Sequence, residues 1–291
     1  MTKNFVPAPP FSIGLKPLQA ENMLQLDEDL LPFRAEKKAL YNTIFEDVCQ
    51  AEPDTIESQS EASALIETNL KAHHKSRYSF DDGNAHCLSS GEIFEPNSNM
   101  PIASAGLLIP EDLVLMRRDD TGWRLVAASL AFPSSWNLRE KFSKPLEAVH
   151  GPVPIPKQMS DRINRIFDNL QPNIPVWRAN WSLDGDGDLR HDRPTSHRES
   201  RRAKLAGEVF LRTEFQTLHK LPQSQDILFT IRIKTRPIIS VLDDANGRKA
   251  LAILHDQFMA MSDAERDYKG INENAEGFIN WMAKNGEFNR D

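Results

Sequence analysis

The sequence predicts an α+β fold, with a central antiparallel sheet and helices before, between and after its strands. Three observations carry this. Apolar residues recur at helical spacing over 34–50, 61–75 and 157–170, and again near 247–261 and 272–284. Runs of alternating, β-branched and aromatic character occupy the middle of the chain, at 112–132, 176–183, 208–218 and 227–235. Neighbouring strands are joined by short turns at 119–122 and 219–226, a connection open to antiparallel pairs only. No Gly/Ser-rich or charged linker divides the strands. Residues 1–291 therefore read as one domain, with a core over about 11–240 and a helical extension over 241–291.

Taken in order, residues 1–20 are proline-rich (Pro7, Pro9, Pro10, Pro17) and read as an extended arm. Leu40, Ile44, Phe45 and Val48 form the stripe of a first helix, and Leu65, Ile66 and Leu70 that of a second. The second closes on His73, His74 and Lys75, cations suited to a helix C-terminus. Residues 79–104, rich in Ser, Asn, Asp and Gly, read as a long ordered loop with short strands at most. A hairpin follows, turning at Asp119–Gly122 and closed by Pro133. Residues 137–149 read as a short helix broken at Pro145, and 150–156 as irregular, because three prolines and a glycine fall in seven positions. Met159, Ile163, Ile166, Phe167 and Leu170 stripe the next helix. Asp184–Asp188 imitates a calcium loop, but Leu189 stands where such a loop needs glycine and Thr195 where it needs glutamate. A turn with solvated acids is the better reading. Residues 190–204 form a basic loop, poor in apolar residues.

Composition excludes several functions. The 291 residues carry a formal net charge of -7, which argues against a surface that neutralises nucleic-acid phosphates. No apolar run approaches the ~18 residues of a membrane span, and the N-terminus has no apolar signal segment, so the expectation is a soluble, cytoplasmic protein. The two cysteines, Cys49 and Cys87, fall short of the ~4 thiolates of an iron–sulfur cluster. Glycine-rich nucleotide fingerprints, a nucleophile elbow and an HExxH zinc motif are all missing from the sequence.

What remains gathers around 129–182. His150, fenced by prolines, is an imidazole held in one direction, which suits ligation of haem iron or another metal; a core histidine bonded to a carbonyl is the alternative. Trp136, Trp177 and Trp181 lie nearby. On a strand Trp177, Ala179 and Trp181 share one face, and Arg178 and Asn180 the other. Arg178 is either an ordinary salt-bridged residue or a partner for a cofactor carboxylate. On 208–218, Arg212, Glu214 and Gln216 form a polar ladder that Arg232 could pair across. Facing outward it is a wet sheet face; facing inward it is a costly pocket floor.

These residues carry a resemblance. The phrase AxxxFPSxWxxxEKxxxPLxxxHGPVP over 128–154, PVWRxNW over 175–181 and RTEFQTLHKLPQSQDILFTIR over 212–232 resemble the haem-dependent oxidative N-demethylase alpha-subunit family, as do Ile13–Leu18 and Glu111–Met116. The likeness extends over about 11–240. It implies a haem-binding PAS-like antiparallel sheet enclosing b-type haem. The activity it implies is dioxygen-dependent removal of an N-methyl group from a small secondary, dimethylamine-like amine, giving formaldehyde. Electrons are then expected from a partner subunit that carries flavin and an iron–sulfur cluster. By position, the resemblance makes His150 the proximal iron ligand and Arg178 and Lys141 propionate contacts, with Trp136 and Trp177 in the haem wall. Arg212, Glu214 and Arg232 become the distal catalytic pocket. The chain departs from the family's RxERQ phrase, with Phe215 where an arginine is expected.

Two other readings share this scaffold: a haem-binding gas or redox sensor without turnover, and a protein binding some other small ligand. A sensor normally carries an output domain or coiled-coil connector, and the sequence shows neither.

Overall fold

The computed structural model describes residues 13–120, 122–134, 136–149, 157–192, 206–268 and 275–288. The fold is mixed α+β, built on a seven-stranded sheet in which every pairing is antiparallel. Its strands are β1 (Lys16–Pro17), β2 (Cys49–Ala51), β6 (Asp112–Asp119), β7 (Gly122–Ser129), β8 (Val176–Asp184), β9 (Phe210–Lys220) and β10 (Ile227–Pro237). They lie in the order β1-β8-β9-β10-β6-β7-β2. A smaller sheet joins β3 (Tyr78–Asp81), β4 (Asn84–Cys87) and β5 (Ile93–Phe94).

The sequence locates all four long-strand regions. The hairpin β6–β7 turns at Gly122, whose φ of 128° favours glycine. Its register slips between Leu115 and Met116. Helix α1 (Leu30–Val48) starts earlier than the apolar stripe suggests and breaks at Ile44, and α2 spans Ile56–His73. Residues 79–104 are less of a loop than expected. They hold β4, β5 and the start of α3 (Pro101–Leu108), a helix opened by a proline in its first turn and almost wholly buried. Its eight-residue run is too short for periodicity to declare it.

Helices α4 (Leu138–Lys141), α5 (Leu146–Val149) and α6 (Lys157–Asn169) follow the hairpin, and α7 (Gly247–Met259), α8 (Asp263–Tyr268) and α9 (Ala275–Asn285) end the chain. Strand alternation divides the central sheet into two faces. The tryptophan face carries Trp177, Ala179, Trp181, Phe215 and Arg232, by the register Ala179↔Phe215↔Arg232. It is dry. One end packs on Ile66 and Leu70 of α2 and Ile102 and Ala105 of α3; at the other, Trp181, Leu183 and Leu211 meet Leu251, Leu254 and Phe258 of α7 and Phe278 and Met282 of α9.

The opposite face carries Arg178, Asn180, Arg212, Glu214 and Gln216 and is called the ladder face below. At one end Val114, Ala128 and Leu218 pack under Leu138 of α4, Leu146 of α5, and Ile163 and Phe167 of α6. On the far side Ile231 and Ile233 pack with Phe132 and Leu189. The polar rungs lie between these two apolar patches.

Candidate functional site

The ladder is built by register. Arg178 pairs with Gln216 and Asn180 with Glu214, so four polar side chains stand on one face of β8 and β9, each half-buried. Glu214 is their hub. Its Oε2 accepts from Gln216 Nε2 at 2.9 Å and Asn180 Nδ2 at 3.4 Å, and its Oε1 accepts from Arg212 Nε at 3.3 Å. Three donors fix one carboxylate beside a guanidinium, an arrangement that holds a negative charge in place without water.

Arg178 completes the patch from above. Its Nε is buried and makes no hydrogen bond. Burial lowers the pKa of its guanidinium, offset only by attraction to Glu214. A buried, unmet N–H on a charged fork is costly unless an anion comes to meet it. This is the feature of the site that fits a bound carboxylate.

Arg212 is fully buried, and each of its three nitrogens is engaged: Nη1 donates to the Leu189 carbonyl at 2.8 Å, Nη2 to the Phe132 carbonyl at 2.7 Å, and Nε to Glu214. Arg232 does not pair across the ladder. The register sets it opposite Phe215, on the tryptophan face. There it stacks over Phe33 at 4.2 Å and donates to the Gln25 carbonyl, Asp27 and Asp29. Phe215, which departs from the family phrase, sits on this face too, stacked on Trp177 with centroids 5.0 Å apart. Trp177 thus belongs to the core on the far side of the sheet from Arg178, with Lys16 over its ring.

Trp136 is half-buried in the apolar patch under α4 and α5. Lys141 is nearly buried, its pKa lowered by that burial, and its Nζ donates to the Ala148 carbonyl at 2.9 Å. It therefore ties α4 to the last turn of α5. His150 lies outside the described residues, but α5 and α6, on either side of it in the chain, both pack on the ladder face.

Beside the Arg212 end of the ladder opens a cleft of about 990 Å³, lined among others by Asp27, Asp29, Glu36, Asp188, Arg190 and Lys234. Arg178, Glu214 and Gln216 are not in its lining, and Asp27 is engaged by Arg232 and Lys234, so the cleft adjoins the ladder without being part of it. The turn acids are not all solvated: Asp184 is buried, and Asp186 accepts from His191 Nε2 at 2.8 Å. Among the described residues no three His, Cys, Asp or Glu side chains gather as a metal-ligand set, and no helix is long and apolar enough to cross a membrane.

Sequence reasoning missed Lys37, Glu111 and Asp112 as a group, three ionisable residues almost fully buried near the ladder. The one available signal was the pair Glu111-Asp112 opening an apolar strand.

A family model described as haem-dependent oxidative N-demethylase, alpha subunit-like, matches residues 14–278. The match runs past 240 through α7 and α8 into α9, so most of the C-terminal extension belongs to the family's own architecture. The chain belongs to this family.

Proposed function

We propose that this member of the haem-dependent oxidative N-demethylase, alpha subunit-like family binds b-type haem over the ladder face of a PAS-like sheet and demethylates a small secondary amine. The observation that carries this reading is the buried Arg178 Nε without a partner, beside a carboxylate held by three donors. When bound, haem supplies the oxidising chemistry on dioxygen.

The chain's own residues divide the remaining work. Arg178 receives a haem propionate, whose two oxygens match a guanidinium fork. His150 would ligate the haem iron, and Lys141 would support it by holding Ala148 two residues before it. Trp136 contributes apolar wall. Glu214 supplies the counter-charge that a secondary ammonium needs and so holds the amine with its N-methyl group towards the haem. Gln216 and Asn180 keep that carboxylate from turning. Each nitrogen of Arg212 is already engaged by Glu214, Leu189 or Phe132, so its part is to orient Glu214, while Arg232 and Trp177 brace the sheet from behind.

Electrons come from a separate subunit carrying flavin and an iron–sulfur cluster, a division supported by the two cysteines here, both buried and unpaired with each other. The reading is tested by the absorption spectrum of protein expressed with haem supply, compared with His150→Ala. A Soret band lost or shifted in the variant supports ligation by His150. A wild-type protein that stays colourless after haem reconstitution rules the reading out, and a band unchanged by the substitution moves the ligand elsewhere.

A further inference from the structure

We propose that Asp112, neutralised by Lys37, is a positioning residue for Glu214, acting through the strap Ala131–Phe132–Pro133 and the Arg212 fork. This rests on the reading of Glu214 as the site carboxylate.

The strap follows β7 after Leu130 and is held at every backbone polar group that it can offer. Asp112 Oδ1 accepts the Ala131 N–H at 3.0 Å and Oδ2 accepts the Phe132 N–H at 2.8 Å. The Ala131 carbonyl accepts from Arg190 Nη1 at 2.8 Å, the Phe132 carbonyl from Arg212 Nη2 at 2.7 Å, and the Pro133 carbonyl from the His191 N–H at 2.9 Å. The Phe132 residue is thus gripped from both ends, by a carboxylate on β6 and a guanidinium on β9.

The grip has a charged origin below it. Lys37 Nζ lies 3.6 Å from Asp112 Oδ1, with both side chains closed to solvent, and it donates to the Gly106, Ile109 and Glu111 carbonyls. Burial pushes the Lys37 ammonium down, opposed by attraction to Asp112 and Glu111, and pushes the Asp112 carboxyl up, opposed by Lys37, the Ala131 and Phe132 amides and Arg212. Two amides and a cation converge on one carboxylate, which a neutral side chain does not reproduce.

The consequence reaches the ladder because a guanidinium is a rigid plane. Its Nη2, Nη1 and Nε bonds cannot be adjusted independently. Phe132 and Leu189 set the plane of Arg212, and that plane sets where Nε meets Glu214. Displacing Phe132 tilts the fork and turns the carboxylate, although Asp112 touches neither Glu214 nor the space above it.

The test compares wild type with Asp112→Asn and with Lys37→Met/Asp112→Asn. The single variant strands a buried lysine and is expected to melt lower; the double variant removes both charges and recovers most of that loss. Two readouts report on Glu214 itself: the side-chain amide NMR signals of Asn180 and Gln216, both of which donate to it, and the midpoint of the absorption change on titrating dimethylamine. Both variants are expected to move the amide signals and to weaken the dimethylamine midpoint about tenfold, the scale of one displaced charge-assisted bond. A double variant that regains wild-type melting, amide signals and midpoint together overturns the proposal, because Asp112 then serves stability alone. A wild type without a Soret band defeats the haem reading instead, and the amide signals still decide this one.

Discussion

The tryptophan face and the ladder face are made by alternate residues of the same strands, yet they solve opposite problems. Ala179, Trp181 and Phe215 are buried under helices and obey the rule that a covered sheet face turns apolar. Arg178, Asn180, Glu214 and Gln216, each displaced by one residue along the same strands, stay polar and half-buried. Folding alone has no use for the second arrangement, which costs desolvation for every rung. The proposed site therefore falls on the part of the sheet where polar rungs replace core packing.

The comparison breaks most visibly in stability. Trp181→Ala on the tryptophan face opens a cavity and removes the 2.7 Å hydrogen bond that Gln257 accepts from the indole N–H, so it is expected to cost ~3–5 kcal/mol in urea unfolding. Arg212→Ala belongs on the same scale, ~3–5 kcal/mol, although it lies on the ladder face, because it leaves the Phe132 and Leu189 carbonyls unmet and Glu214 short of a cation. An Arg212→Ala protein as stable as wild type contradicts its role as the ladder's anchor.

A pH measurement sharpens the dry side. His219 shares the tryptophan face, bonded to Thr217, and burial pushes its pKa down to about 4. The unfolded chain takes up this proton near the ordinary value of ~6.5, before the folded chain does. Its contribution is therefore full above ~6.5 and is lost as pH falls towards 4, by up to ~3 kcal/mol. His219→Gln is expected to flatten the acid limb of stability against pH relative to wild type. Parallel limbs would show that this imidazole is solvated after all.

Gly106→Ala probes the same face where α3 approaches most closely. An added Cβ falls 1.9 Å from Ser129 Oγ and 2.8 Å from Tyr41 Oη, two atoms that share a 2.5 Å hydrogen bond. The expected loss is ~1–3 kcal/mol, partly relieved when Ser129→Ala is added. A loss that Ser129→Ala leaves untouched would place the strain elsewhere in the helix.

How much of this the sequence announced follows the same division. Alternation along 176–184 and 210–220 is local, so the separation of Trp177 and Trp181 from Arg178 and Asn180 is legible from spacing alone. Whether the ladder faced inward is not local, since that depends on where α4–α6 pack. Arg232 shows the limit: only the β9–β10 register, fixed by the turn at 221–226, decides that it opposes Phe215 and not Glu214. The pairing of Lys37 with Asp112 was illegible for another reason. They lie 75 positions apart, and each sits in a segment whose own pattern reads as ordinary helix or strand. A buried pair of that kind is visible only once the chain is folded.

The smallest expected effect on stability is the most informative about function. Arg178 resembles Arg212 in charge and face but differs in employment: its Nε bonds to nothing, while each of the three nitrogens of Arg212 makes a hydrogen bond. Arg178→Ala is therefore expected to leave the unfolding free energy of haem-free protein within about 0.5 kcal/mol of wild type, since the desolvation it relieves offsets the attraction to Glu214 that it loses. Haem affinity, titrated by absorbance on the same preparations, is expected to fall about tenfold as the propionate loses its partner. Arg178→Lys separates charge from geometry: a point charge recovers part of the affinity but not the two-pronged grip. If haem-free Arg178→Ala instead melts as low as Arg212→Ala, Arg178 is a structural bond like its neighbour, and the ladder face has no vacancy for an anion.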